Sequence, residues 1–323
     1  MDKREKRILR REIGVYSWAL LIYYLLMNHL VSAVAQIALV YEGLQAVIRD
    51  GSWLHFSLGM QQALQQVLYG NAWGYLIACC VAIGAIFLWK GKTFFSGMFQ
   101  TKQTMTGKSF VLLTCVLFSG QLVFQIFAVL AELVLNLFGL SVLESMEMAS
   151  AGADTLSMFL YMGLGAPIVE ELVFRGVILR GLEPYGKRFA IMASAVLFGL
   201  FHGNLVQSPY AFVVGLVLGY TAMEYSIVWA MVLHMLNNLV LGDSLLRLLS
   251  GLPGMGAEIV VWVLILICSW VTLVVLWNNR RMIGYRRRED PIDRRYAKAF
   301  VTAMPTVLLI LLMGANAVMM LFL

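Results

Sequence analysis

A chain of 323 residues of which 61% are hydrophobic and only 13% charged cannot cover the surface of a soluble globule of its size. Its apolar runs are continuous and reach the roughly 20 residues that a bilayer crossing needs, which excludes a β-barrel with alternating strands. The expected fold class is all-α, a polytopic transmembrane helical bundle. The net charge of +6 is dispersed among the connections between runs, so it gives no footing for nucleic acid.

In chain order, hydropathy places spans near 13–40, 72–90, 109–139, 156–182, 189–203, 209–224, 226–247, 257–277 and 299–322, about eight to nine in all. Six basic residues fall in 3–11, four in 90–108, three in 180–188 and eight in 280–298. The positive-inside rule then puts these four segments and the N-terminus in the cytoplasm, with the C-terminus outside. Only Arg49 and Arg247 are left outside, and Arg175 lies within a span. The basic stretch 280–298 reads as a cytoplasmic loop lying against anionic lipid headgroups. The setting expected is a bacterial cell membrane.

The first run ends in SAVAQ (32–36), which resembles a signal-peptide cleavage site, but a run starting at Ile13 is longer than a signal core and is expected to stay as an uncleaved span. Residues 41–71 mix Trp, Phe and Leu with Gln and suggest an amphipathic helix at the outer interface; His29 and His55 are read as interfacial. Cys79, Cys80, Cys115 and Cys268 sit in apolar runs without C-x-x-C spacing, and small packing residues are expected there. On the third run Gln121, Gln125 and Glu132 share a face, with interhelical hydrogen bonding as their expected role. Three regions follow: N-terminal spans with an external loop in 1–154, a polar core in 155–247, and C-terminal spans in 248–323.

The core region carries charges where they are costly. APIVEELVFRGVI (166–178) places Glu170, Glu171 and Arg175 in one span. Glu171 and Arg175 are i, i+4 and can pair on one helix face. Glu170 lies about 100° around and is left over, which suits a general base. Pro167, after GLGA, suggests a break with the helix restarting there and Glu170 in its first turn. Downstream, LFGLFHGN sets Phe198 four residues before His202, a ring that can hold the imidazole. VLHMLNN sets His234 and Asn238 on one face. At about 1.5 Å per residue, Glu170, His202, His234 and Asn238 all come out roughly 12–20 Å from the cytoplasmic ends of their spans, so they can converge.

Glu-Glu-x-x-x-Arg, Phe-x-x-x-His and His-x-x-x-Asn, in that order, resemble the signature of the CPBP family of intramembrane proteases. That family includes the type II CAAX prenyl endopeptidases and bacterial relatives linked to bacteriocin processing. The resemblance covers about 155–245. It implies hydrolysis of a peptide bond in a membrane-associated peptide or protein, with removal of a leader or remnant peptide or a CAAX-like tail as the processing event. Under it, Glu170 activates water with His202 beside it, and His234 and Asn238 polarise the scissile carbonyl. Glu171, Arg175 and Phe198 support them. A metal-dependent version would use Glu170, His202 and His234 as ligands of a divalent ion such as zinc. Two other classes compete. A non-catalytic membrane scaffold or immunity protein would tolerate loss of Glu170. A proton-coupled transporter would show repeated halves, and no internal repeat is found.

Overall fold

The computed structural model describes residues 3–50, 72–143, 155–241, 249, 251–252 and 254–322; these form helices and turns, with no strand among the described residues. Helix α1 is Lys3–Asp50, α2 Trp73–Met98 and α3 Gly107–Asn136. The next, α4, runs through residues 156–182 as consecutive α- and π-helical pieces and ends in the tight turn Glu183–Tyr185. Then come α5 (Lys187–Phe201), α6 (Gln207–Glu224), α7 (Ile227–Leu241), α8 (Gly256–Glu289), α9 (Arg294–Val301) and α10 (Met304–Met319).

The apolar runs resolve into two kinds of helix. Four stretches are long and apolar enough to cross a membrane: Lys3–Tyr41 of α1, then α2, α3 and α8. The bent pair α9–α10, with 58° between its members, makes a fifth if taken as one span. By contrast α5 and α7 have 15 residues each. At 1.5 Å per residue each is about 22 Å long, short of the ~30 Å hydrocarbon core. These short helices enclose the second half of α4, together with α1, α2 and α6. All eight residues of Leu172–Leu179 are buried.

The segments that the charge pattern assigns to the cytoplasm gather at one end of the bundle. Lys102 pairs with Glu183 at 3.0 Å and Lys187 with Glu224 at 2.5 Å. Tyr185 donates to Glu12, and the Arg188 backbone N–H donates to Asp290. Pairs this exposed contribute little energy each. Their value is that they tie α1, the α2–α3 connection, the turn after α4, α5, α6 and the end of α8 together at one end.

Three expectations change. The stretch 280–298 is not a loop: α8 continues as helix to Glu289, and α9 starts at Arg294 under the cap of Asp293, whose carboxylate accepts from the Arg295 N–H at 2.7 Å. Arginine is a good helix former, and Arg286, Arg287 and Arg288 in the last turn of α8 complement its dipole. Glu132 serves its own chain end, not another helix. Its carboxylate accepts from the Ser141 hydroxyl and from the Val142 N–H at 2.8 Å, closing the turn after α3. The outer segment 41–71 begins as the last turns of α1, while 51–71 with His55 lie outside the described residues. Cys79, Cys115 and Cys268 are buried and Cys80 is exposed, all as free thiols. His29 is exposed on α1.

Candidate active site

Around Pro167 the expected helix break is absent. Gly165 and Ala166 keep helical torsions, and the chain runs on through Glu171. The helix accommodates the proline by widening. Tyr161–Gly165 is π-helical, and the Ala166 N–H reaches back to the Tyr161 carbonyl five residues earlier. In that register the next N–H would come from residue 167, which as proline has none. The Met162 carbonyl is thereby free for another helix, and Asn238 Nδ2 of α7 donates to it at 2.9 Å. The approach is close because residue 163 is glycine: a Cβ there would stand 2.7 Å from Leu239 Cδ2. One proline thus creates an acceptor, and one glycine lets its partner reach it.

Three residues on, Glu171 and Arg175 form the expected pair, fully buried, with Arg175 Nη1 donating to Glu171 Oε1 at 2.7 Å. Arg175 Nη2 donates to the Gly215 carbonyl of α6, and its guanidinium lies 4.4 Å from the centre of the Phe198 ring. A bare glycine suits position 215, since a Cβ would come within 3.0 Å of the α5 backbone at Ala195. Arg175 Nε and Glu171 Oε2 have no hydrogen-bond partner. The pair's charges are offset by each other and by the ring face, in a site closed to water.

The same Glu171 oxygen has a second partner, which the sequence did not announce. His234 Nδ1 lies 2.9 Å from Glu171 Oε1. A carboxylate paired with arginine can only accept, so Nδ1 carries the proton and Nε2 faces outward. From Nε2 to Glu170 Oε2 is 3.8 Å. His234 therefore stands between the two adjacent carboxylates, held by one and aimed at the other. Glu170 differs from its neighbour in exposure, with 14% of its side chain accessible against none for Glu171.

His202 ends α5. Its Nδ1 lies 2.8 Å from the Phe198 carbonyl, another group that can only accept, so its Nε2 is also the free nitrogen. The Phe198 ring meets His202 edge-on at 4.9 Å, as its spacing predicts, and also meets His234 at 5.6 Å. One ring packs against both imidazoles and the arginine. Asn238, one turn beyond His234, accepts from Asn237 Nδ2, and Asn237 in turn accepts from the Tyr210 hydroxyl at 2.8 Å. Sequence reasoning missed Tyr210 and Asn237. The tandem Asn237–Asn238 in an apolar helix was the available signal, since two amides there need partners.

Glu170, His234 and Phe198 with His202 are thus brought together, and Asn238 is held beside them by α4. No hydrogen bond among the described residues joins His202 or Asn238 to Glu170. A tetrahedral zinc would set two of its ligand atoms roughly 3.3 Å apart, which His234 and Glu170 approach. His202 does not complete the set: no three His, Cys, Asp or Glu side chains among the described residues gather as a group that could hold an ion.

Comparison with known proteins reaches the same segment. The family model described as Type II CAAX prenyl endopeptidase Rce1-like matches residues 152–240, under a third of the chain. Neither the curated proteins nor the solved structures yield a match. The matched stretch holds α4 to α7 and with them Glu170, Glu171, Arg175, Phe198, His202, His234 and Asn238. Over that stretch the chain resembles the Type II CAAX prenyl endopeptidase Rce1-like family, as its three motifs imply.

Proposed function

We propose that this protein is an intramembrane endopeptidase that hydrolyses a peptide bond of a membrane-associated peptide or protein by glutamate-activated water. The observation that carries the reading is His234 set between Glu171 and Glu170, with its proton committed to the first and its free nitrogen facing the second. A scaffold gains nothing from a partly accessible carboxylate beside an oriented imidazole, and a buried pair alone already accounts for Glu171 and Arg175.

The steps follow from the tautomers. Glu170 takes one proton from a water whose other O–H is held by the Nε2 lone pair of His234, with His202 beside them, and the hydroxide attacks the carbonyl carbon. As a neutral ring His234 can only accept at Nε2. Its Nδ1 proton stays committed to Glu171, so His234 orients the water and leaves the oxyanion to another donor. Asn238 spends one N–H on Met162 and keeps a second for the oxyanion. The proton on Glu170 then passes to the leaving amine. Glu171 and Arg175 take no proton and keep His234 in place.

The substrate class follows from the family resemblance: a leader, remnant or CAAX-like segment at a bacterial membrane. The chain is oriented with its N-terminus in the cytoplasm, in about eight to nine spans if the short helices α4 to α7 are counted. The basic turns of α8 and the amphipathic α9, with Ala299 and Phe300 buried and arginines outward, rest on anionic headgroups.

The test compares membranes carrying the wild type with membranes carrying Glu170→Gln, mapping peptide termini by mass spectrometry. The amide keeps the shape and removes the base, so cleavage falls by about 10²–10⁴-fold and precursors accumulate. A chelator added to wild-type membranes leaves the termini in place. Unchanged termini in the variant would return the scaffold reading, and loss with the chelator would transfer the base's work to an ion.

A further inference from the structure

The C-terminal helix α10 lies outside the family-matched segment and is apolar from Val307 to Met313, yet it carries an asparagine, Asn316, three turns from its start. An amide in a membrane helix calls for a partner. Asn316 finds it at the active site's edge: its Nδ2 donates to the Gly203 carbonyl at 3.1 Å.

Gly203 follows His202 directly and is the residue that stops α5. Its φ of +54 is left-handed, a conformation that glycine adopts without strain. A Cβ there would also collide with the Asn316 amide at 2.7 Å. From this turn the chain re-enters α6 through Asn204, whose Oδ1 accepts from the Val206 and Gln207 N–H groups. Met320, one turn beyond Asn316 on the same face, contacts Asn204 through its sulfur. The turn that presents His202 is therefore seated on α10. The other end of α10 is fastened independently, where Thr306 and Ser17 of α1 share a buried hydrogen bond of 2.7 Å.

We propose that Asn316 is a positioning residue for His202, fixing the Gly203 turn so that the imidazole cannot swing on the only glycine hinge beside it. The proposal rests on the catalytic reading for its importance, but not for its test. His202 is restrained on its α5 side by the Phe198 carbonyl and ring. On its C-terminal side the restraint comes from Asn316 acting through the backbone. His234 has its own anchor in Glu171 and owes nothing to α10.

The experiment uses the full chain in detergent micelles and measures carbethoxylation of each histidine by diethyl pyrocarbonate, resolved by peptide mass spectrometry. Asn316→Leu changes the rate at His202 by roughly three- to tenfold, the span expected for one interhelical hydrogen bond. His234 keeps its wild-type rate. Asn316→Gln, which retains the donor, moves the His202 rate back towards wild type. Thr306→Val, which loosens the far end of α10, lowers the melting temperature without changing His202 selectively. An unchanged His202 rate in Asn316→Leu, or equal changes at His202 and His234, overturns the proposal. Because the readout is ring reactivity and not cleavage, it stands or falls separately from the protease assignment.

Discussion

Leu172–Leu179 of α4 and the membrane-crossing part of α8 read almost alike as apolar sequence, and they do opposite things. In the first, every residue is buried, including Arg175. In the second, a 34-residue helix, only Ala257, Ile265, Cys268, Ser269 and Thr272 are buried, while Trp262, Trp270 and Trp277 are exposed. Most apolar side chains on α8 are left exposed, as a lipid-facing surface requires, whereas those of Leu172–Leu179 meet protein. Hydropathy measures dislike of water and is blind to this distinction, because a lipid tail is as apolar as a leucine. The distinction decides where charge can be kept, since only α4 is enclosed well enough to hold an ion pair against fixed partners.

The comparison breaks hardest at Arg175. Arg175→Met removes one member of a pair with no exposure and leaves Glu171 charged and uncompensated, a change expected to destabilise by about 3–5 kcal/mol. Trp270→Leu on the lipid face of α8 is expected to stay within about 0.5 kcal/mol. Unfolding of both variants in mixed micelles checks the contrast. Equal losses would mean that α4 is no more enclosed than α8.

A smaller effect sharpens the role of close packing within α4. Gly163→Val places branched carbon where Leu239 Cδ2 already stands at 2.7 Å from a Cβ position. Overpacking of that kind costs about 1–3 kcal/mol, and it also drives α7 away from Met162. Cleavage should therefore fall further than stability alone explains, because Asn238 loses its carbonyl. Peptide-termini mapping and the melting temperature, read on the same preparation, separate the two.

How much of this was legible beforehand follows the range of each interaction. The bounds 156–182 of α4 and the Glu171–Arg175 and Phe198–His202 relations are local, set by a period of about 3.6 residues, and could be read directly. The bond between His234 and Glu171 spans 63 residues and has no local signature. Pro167 was misread for a physical reason: a proline ends a helix only where its missing N–H and its ring find no accommodation, and a wide turn before it provides one. The stretch 280–298 was misread because charge density was taken for loop character, whereas arginine propagates a helix well. Glu132 was assigned to another helix because its partners, Ser141 and Val142, lie beyond the end of α3, in a turn with no periodicity.

The smallest expected effect concerns the polar chain from Tyr210 through Asn237 and Asn238 to the Met162 carbonyl. Each link leaves the next amide with one orientation, so the chain acts on the oxyanion donor without touching substrate. Tyr210→Phe removes only the outermost hydroxyl. It should slow cleavage roughly threefold, in line with the ~0.6 kcal/mol average of interhelical hydrogen bonds in membranes. Asn237→Leu acts one link closer and should slow it more; Asn238→Leu removes the donor itself and should slow it most. Graded losses in that order, at nearly constant melting temperature, mean that orientation is passed along the chain. If Tyr210→Phe instead matches Asn238→Leu, or lowers only the melting temperature, the three bonds are independent packing contacts and Asn238 is held by Met162 alone.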